Sequence, residues 1–153
     1  MFAPTALLSP GLWRLLEVRR SVGLRNPGHS LVKLMNPVNG LSLRVASYTH
    51  PEYAVSMAAT LELTGARALL LRGTEGEAVA DARRLPQIDA FVSGVRTSLA
   101  ESQTGPLTQL PELPSAIDAI TTARYTQAVL GGQLPVPSPL ARQVQAVLQA
   151  LAL

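Results

Sequence analysis

The sequence predicts an α/β domain in which helices flank a small, mainly parallel sheet. Three observations lead there. Apolar residues make up 47% of the 153 positions and charged residues 15%, a balance that can bury a core and is the reverse of a disordered chain. Residues 43–71 run from a short apolar segment through a helical pattern into a wholly apolar segment, as one βαβ unit does. Apolar stripes at helical spacing then occupy the last third of the chain. The length suits one domain over residues 1–153 and falls short of two.

Each element follows from local signals. Ser9-Pro10 opens a first helix, with Ser as N-cap and Pro at the first helical position. Leu12, Leu15 and Leu16 form its apolar stripe, and Gly23 stops it. Asn26-Pro27 repeats the opening signal for a short second helix carrying Leu31, Leu34 and Met35, which Asn36-Pro37 ends. Leu43 to Tyr48 reads as a strand. His50-Pro51-Glu52 starts a third helix, with Tyr53, Met57 and Leu61 on one face and Gly65 at its close. Ala68 to Leu71 has the continuous apolar character of a buried parallel strand. Residues 88–100 read as a hairpin around Ser93-Gly94, and the proline-rich stretch 102–114 as an extended connection. Ser115 with Asp118 reads as a capping box for a helix that stops at Gly131-Gly132. Ser138-Pro139 opens a last helix, whose stripe is Leu140, Val144, Val147, Leu148 and Leu151.

Composition excludes several chemistries. With Cys 0, disulfide frameworks, thiolate metal sites and thiol catalysis are out. His29 and His50 are the only two histidines, too few for a multi-histidine metal centre. The longest charge-free run, Tyr125 to Ala141, is broken by two glycines and three prolines, so it does not read as a membrane span. The N-terminus lacks the basic start of a secretory signal. A cytoplasmic protein with no membrane partner is the expectation.

Charge is uneven along the chain. Residues 1–50 hold Arg14, Arg19, Arg20, Arg25, Lys33 and Arg44 against Glu17 alone, so this third is strongly basic inside a total of +3. Twelve of the thirteen basic residues are Arg, whose fork matches phosphate geometry. Arg14, Arg19, Arg20, Arg25 and Lys33 surround two expected helix starts, with Trp13 beside them. Asn26, Pro27 and Gly28 could cradle a phosphate on free backbone N–H groups, with Arg25 and His29 assisting. The competing reading is a solvated basic face in which Glu17 pairs with one Arg, and composition alone slightly favours it. The loop Arg72-Gly73-Thr74-Glu75-Gly76-Glu77 leaves the carboxyl end of a strand, where α/β sheets bind ligands. Its two carboxylates could hold Mg²⁺, but the favoured reading is a strand-exit loop that needs glycine for its backbone. His50 is either a general base or a ring that organises the start of its helix.

These motifs resemble a known family. Arg19-Arg20-Ser21-Val22-Gly23-Leu24-Arg25-Asn26, followed by Leu34-Met35-Asn36-Pro37, resembles the R-x-x-x-G-x-R-T and Asn-Pro segments of anthranilate phosphoribosyltransferases. Gly23-Leu24-Arg25-Asn26 through His29, Leu31, Lys33 and Leu34 is closer to a divergent branch, the YbiB-type TrpD-like proteins. So are Ser47 with His50-Pro51-Glu52-Tyr53, Arg67-Ala68-Leu69-Leu70, and Gly73-Thr74-Glu75-Gly76-Glu77. The resemblance implies the C-terminal part of a nucleoside phosphorylase/phosphoribosyltransferase α/β domain. The N-terminal helical bundle and glycine-rich pyrophosphate loop of that fold have no counterpart here, so the chain reads as the later part of a larger protein.

Carried over by position, catalysis fares poorly. Arg19 takes the place of the anthranilate-contacting arginine, but only Pro10 remains of a His-Pro pair, with Ser9 before it. Val32-Lys33 replaces a Gly-Pro, and Ala78-Val79 stands where the magnesium-binding Asp-Glu pair belongs. For the divergent branch the resemblance implies a non-catalytic dimer that binds single- or double-stranded nucleic acid without sequence preference and needs no cofactor. Arg14, Arg19, Arg20, Arg25 and Lys33 would contact phosphates, supported by Asn26 and His29. The alternative is a glycosyl transferase family 3 domain that uses Mg²⁺ and phosphoribosyl pyrophosphate, active only with a separate N-terminal half.

Overall fold

The computed structural model describes residues 3–153. Helices α1 (Thr5–Leu8), α2 (Pro10–Val22) and α3 (Gly28–Leu31) lead through a 3₁₀ turn, Val32–Leu34, into strand β1 (Arg44–Tyr48). Then come α4 (Pro51–Leu63), β2 (Ala68–Arg72), the hairpin β3 (Ile88–Val92) and β4 (Val95–Ala100), and helices α5 (Ala119–Leu130) and α6 (Ser138–Ala152). The sheet runs in sequence order, β1-β2-β3-β4.

The α/β class stands, but the pairing differs from the expected mainly parallel sheet. Only β1 and β2 are parallel; β2–β3 and β3–β4 are antiparallel. The reason is the length of the connections. A parallel neighbour needs a crossover, which α4 supplies between β1 and β2. After β2 no helix intervenes, so the chain returns antiparallel and then folds back through a two-residue turn. That turn places Ser93 at φ 51 and Gly94 at φ 81, the left-handed pair a tight hairpin needs.

Side chains alternate across a strand, and this sorts the core into two layers. Ala46, Ala68, Leu70 and Phe91 pack on one face against Met57, Ala58 and Leu61 of α4. Leu69, Leu71, Ile88 and Ala90 pack on the other against Ala146 and Ala150 of α6. Because β2 is covered on both faces, its run of alanine and leucine has no polar interruption until Arg72. Asp89 is the buried charged residue among the described ones. It accepts from the Gln87 amide at 2.9 Å and pairs with the Arg96 guanidinium at 2.6 Å, so its charge is satisfied.

Three helical expectations are corrected. The second helix is one α-turn and a 3₁₀ turn that stops at Leu34, since Met35 is already extended. The cap of α5 is Asp118, whose side chain accepts from the Thr121 N–H at 2.9 Å; Ser115 lies outside the helix, which starts at Ala119. In α6 the face turned to the sheet is Pro139, Ala146 and Ala150. Of the expected stripe, Leu140 and Val147 are partly buried, whereas Val144, Leu148 and Leu151 are exposed. Small residues let the helix approach the bulky leucines of β2, so alanine takes the contact.

Gln143 of α6 locks the segment after β2. Its amide donates to the Ala78 carbonyl at 2.9 Å, and its carbonyl oxygen accepts from the Ala80 N–H at 2.7 Å. Replacing Gln143 by Ala strands two partly buried backbone groups and should cost about 1–3 kcal/mol in urea unfolding. Gln145→Ala, on the exposed side of the same helix, should stay within about 0.5 kcal/mol.

Candidate functional site

The ends of β1 and β2 lie side by side. Tyr48 and Arg72 are register partners, and the Gly73 N–H extends the ladder to the Tyr48 carbonyl at 2.9 Å. Gly73 then passes so close to its neighbours that a Cβ would stand 2.5 Å from the Glu77 carbonyl oxygen and 3.3 Å from Ser47. The loop therefore folds down onto β1, where the Ser47 hydroxyl donates to the Gly76 carbonyl at 2.9 Å. Lys33 reaches the same point from the 3₁₀ turn and donates to the Ser47 carbonyl at 3.3 Å.

Two clefts open at these strand ends. One, of about 670 Å³, lies between the α3 segment and the start of α4, and Arg25, Asn26, His29, Lys33, His50 and Tyr53 line it. The other, of about 470 Å³, lies beside the β2 exit, with Arg72, Thr74, Asp81, Gln87 and Gln103 among its walls. Thr49 belongs to both. The larger cleft has two permanent cations and two histidines on its walls and no carboxylate.

Asn26 builds one wall. Its side-chain oxygen accepts from the Gly28 N–H at 3.0 Å, and its amide donates to the Leu15 carbonyl at 2.6 Å. This ties α3 to α2 across Gly28, where a Cβ would meet Leu12 and Leu15 within 3.3 Å. The His29 ring turns back so that Nδ1 lies 3.3 Å from the Asn26 nitrogen and 3.2 Å from the Asn26 carbonyl oxygen. His50 sits at the cap position of α4 without a side-chain cap bond. Its Nδ1 instead meets the Thr49 hydroxyl at 2.9 Å, and its ring stands edge-on to Tyr53 at 5.9 Å. It thereby organises the first turn of α4 through ring contact.

The structure gathers Arg25, Asn26, His29 and Lys33 into the cleft and leaves Arg14, Arg19 and Arg20 exposed on α2. Arg20 pairs with Glu17 at 2.9 Å, as the solvated-face reading anticipates for one arginine. The expected phosphate cradle of backbone N–H groups is absent. Gly28 N–H goes to the Asn26 side chain, and those of His29 and Ser30 go to the Asn26 and Pro27 carbonyls. A helix of four residues also supplies little dipole. Side chains, not backbone, give this cleft its character.

The glycine loop does not fit a magnesium site. The Glu77 carboxylate accepts from the Thr74 N–H, the Thr74 hydroxyl and the Glu75 N–H, each at 2.7 Å. Those bonds turn the carboxylate inward onto its own loop and occupy three of its roughly four acceptor positions. Among the described residues no group of three or more histidines and carboxylates converges on a metal position. The residues that sequence reasoning missed as site residues are Ser47, Tyr48, Thr49 and Tyr53. The signal for the first three is their place at the carboxyl end of a strand with a parallel neighbour, and for Tyr53 its place in the first turn of the helix that follows.

Fold and site together define an α/β sandwich with a cationic cleft at the ends of its parallel strand pair. Within that class the chain is similar to a curated protein over nearly its whole length. It is 38% identical over 151 residues to the uncharacterized protein YbiB of Escherichia coli (strain K12), an alignment that covers 98% of this chain and 47% of that protein. The chain thus spans about half the length of the curated relative it matches. No family model matches the sequence. No helix among the described residues is long and apolar enough to cross a membrane.

Partial burial pushes the Glu77 carboxyl upward. Hydrogen bonds from its own backbone, the Thr74 hydroxyl, and the Thr74 and Glu75 N–H groups outweigh this and bring it to about 2. A depressed carboxyl stabilises the fold above its ordinary value of 4.5 and loses that contribution as pH falls through about 2. The Thr74 and Glu75 amide signals should therefore hold their native positions at neutral pH and shift only on strong acidification. Glu77→Gln should remove that acid limb while leaving the rest of the spectrum in place. Gly73→Ala should cost about 1–3 kcal/mol by overpacking, read from thermal unfolding.

Proposed function

We propose that the chain is a non-catalytic module that binds nucleic acid without reading its sequence. It corresponds to the C-terminal part of the α/β domain in a TrpD-like, phosphoribosyltransferase-type fold. The observation that carries this is the larger cleft, where Arg25, Lys33, His29 and His50 stand with no opposing carboxylate. Phosphate neutralisation supplies nearly all of non-specific nucleic-acid binding, and the exposed Tyr53 offers a ring on which a base can stack. Arg14, Arg19 and Arg20 extend the basic surface along α2, which Asn26 holds against the cleft wall. Asn26 and His29 position the wall rather than contact phosphate. A cytoplasmic homodimer goes with this reading. The transferase alternative gains nothing from the site, because Glu77 is engaged within its own loop and Ala78 and Val79 carry no carboxylate.

The test is fluorescence anisotropy of a labelled single-stranded oligonucleotide at several salt concentrations. Binding should fall linearly with log salt, and Arg25→Ala with Lys33→Ala should flatten the slope by about 1.4, or about 0.7 for each phosphate that is no longer neutralised. Replacing Arg19, Arg20 and Arg25 together by Ala should also lower affinity and flatten the slope. A slope unchanged in both variants would sink the assignment.

A further inference from the structure

We infer that the larger cleft takes up protons together with its polyanion, on His29 and His50, so that affinity rises as the pH falls through the range in which histidine gains its charge. The inference rests on the nucleic-acid reading above and adds a regulation to the same cleft. The chain has two histidines in 153 residues. Both line this cleft, His29 from α3 and His50 from the position before α4. Histidine is the side chain whose charge ordinarily changes between about pH 5 and 8.

Each ring is held by a partner that serves either charge state. His29 Nδ1 lies 3.3 Å from the Asn26 nitrogen and 3.2 Å from the Asn26 carbonyl oxygen. Unprotonated, it accepts from the Asn26 N–H; protonated, it donates to the Asn26 carbonyl. His50 Nδ1 lies 2.9 Å from the Thr49 hydroxyl, a group that both donates and accepts. The hydroxyl donates to the unprotonated ring and accepts from the protonated one. Tyr53 stands edge-on to the His50 ring at 5.9 Å and confines it in both states. Either ring can therefore gain a proton without moving, and the cleft walls stay as they are.

The groups that face the rings decide what stabilises the proton. Arg25 and Lys33 are permanent cations on the wall, and Tyr48 and Tyr53 add phenols, which as a class titrate at about pH 10. The charged groups of α2, which packs behind α3, are off the wall, and so are Glu52 and Glu62 of α4. Arg44, at the opposite end of β1, is held on the Leu34 carbonyl at 2.6 Å. Arg72, beside Tyr48 on β2, lines the other cleft. The 73–77 loop approaches Lys33 at Gly76, with Glu75 exposed and the Glu77 carboxylate turned onto Thr74 and Glu75. No carboxylate on the wall is thus placed to hold an imidazolium. A phosphate in the cleft supplies that charge. Ligand and proton then favour one another by the same factor, whichever binds first.

The experiment titrates a labelled thymidine oligonucleotide with the full chain, from about pH 8 to about pH 5.5, at several salt concentrations. Phosphodiesters and thymine keep their charge over that range, so a proton taken up belongs to the protein. Affinity should rise about tenfold, within the usual span of coupled equilibria. The salt slope should steepen by about 0.7 for each histidine that neutralises a phosphate. Calorimetry in two buffers of different ionisation enthalpy should record net proton uptake on binding. His29→Gln with His50→Gln should abolish the pH dependence, the steepening and the proton uptake together, and each single variant should remove part of them. Affinity that does not change with pH in the native chain overturns the inference. So do a pH dependence and proton uptake that persist in the double variant, the result expected if the rings only shape the wall. In both cases binding is still observed and the nucleic-acid reading stands. No binding at low salt at any pH overturns that reading, and this inference with it.

Discussion

Gly73 sits where β2 ends, and its lack of a side chain lets the following loop lie on Ser47. A Cβ there would be 2.5 Å from the Glu77 carbonyl oxygen, a distance backbone atoms cannot accommodate. From that contact the rest of the site follows. The Gly73 N–H lengthens the parallel ladder by one bond to Tyr48. The Ser47 hydroxyl then reaches the Gly76 carbonyl, and the Ser47 carbonyl faces Lys33. A loop lifted by one side chain would separate these groups, and both clefts would lose a wall.

The loop also explains how a glycine-rich strand exit can look like a ligand site and serve as a fixed wall. Glu77 folds its carboxylate back onto the N–H groups of Thr74 and Glu75, the donors a bound anion would use. The loop thus supplies its own anion and is rigid without a ligand. Gln143 continues the same bracing beyond it by clamping Ala78 and Ala80 to α6. The exposed cations Arg25 and Arg72 stand on either side of this braced edge.

Much of the fold was legible residue by residue. The strand at 44–48, the helix from Pro51, the strand at 68–72 and the hairpin about Ser93-Gly94 all lie where the patterns place them. Strand and turn signals are local, so local sequence carries them. The direction of β3 against β2 was less legible, because continuous apolar runs mark burial on both faces and not parallel pairing. The face of α6 was misread for a related reason. Five large apolar residues look like a core stripe, yet the sheet takes Ala146 and Ala150 and leaves Val144, Leu148 and Leu151 exposed. Hydrophobicity states what can be buried; the shape of the opposing surface states what is buried.

The candidate site divides along the same line. By itself the sequence determined that basic groups crowd the first third, that Arg25, Asn26, His29 and Lys33 cluster around one chain reversal, and that thiol or multi-histidine metal chemistry is out of reach. These are properties of residue type and short spacing. Only the tertiary structure decided that Lys33 meets Ser47, that His50 and Tyr53 join the same cleft, and that Arg72 stands one strand away. Tertiary packing brought Lys33 to Ser47 across 14 positions of chain and parallel pairing brought Arg72 to Tyr48 across 24 (72 minus 48), and no periodicity encodes a contact at such separations. The tertiary structure also decided that Glu77 serves its own loop, because three donors within hydrogen-bond reach outweigh the burial of its charge.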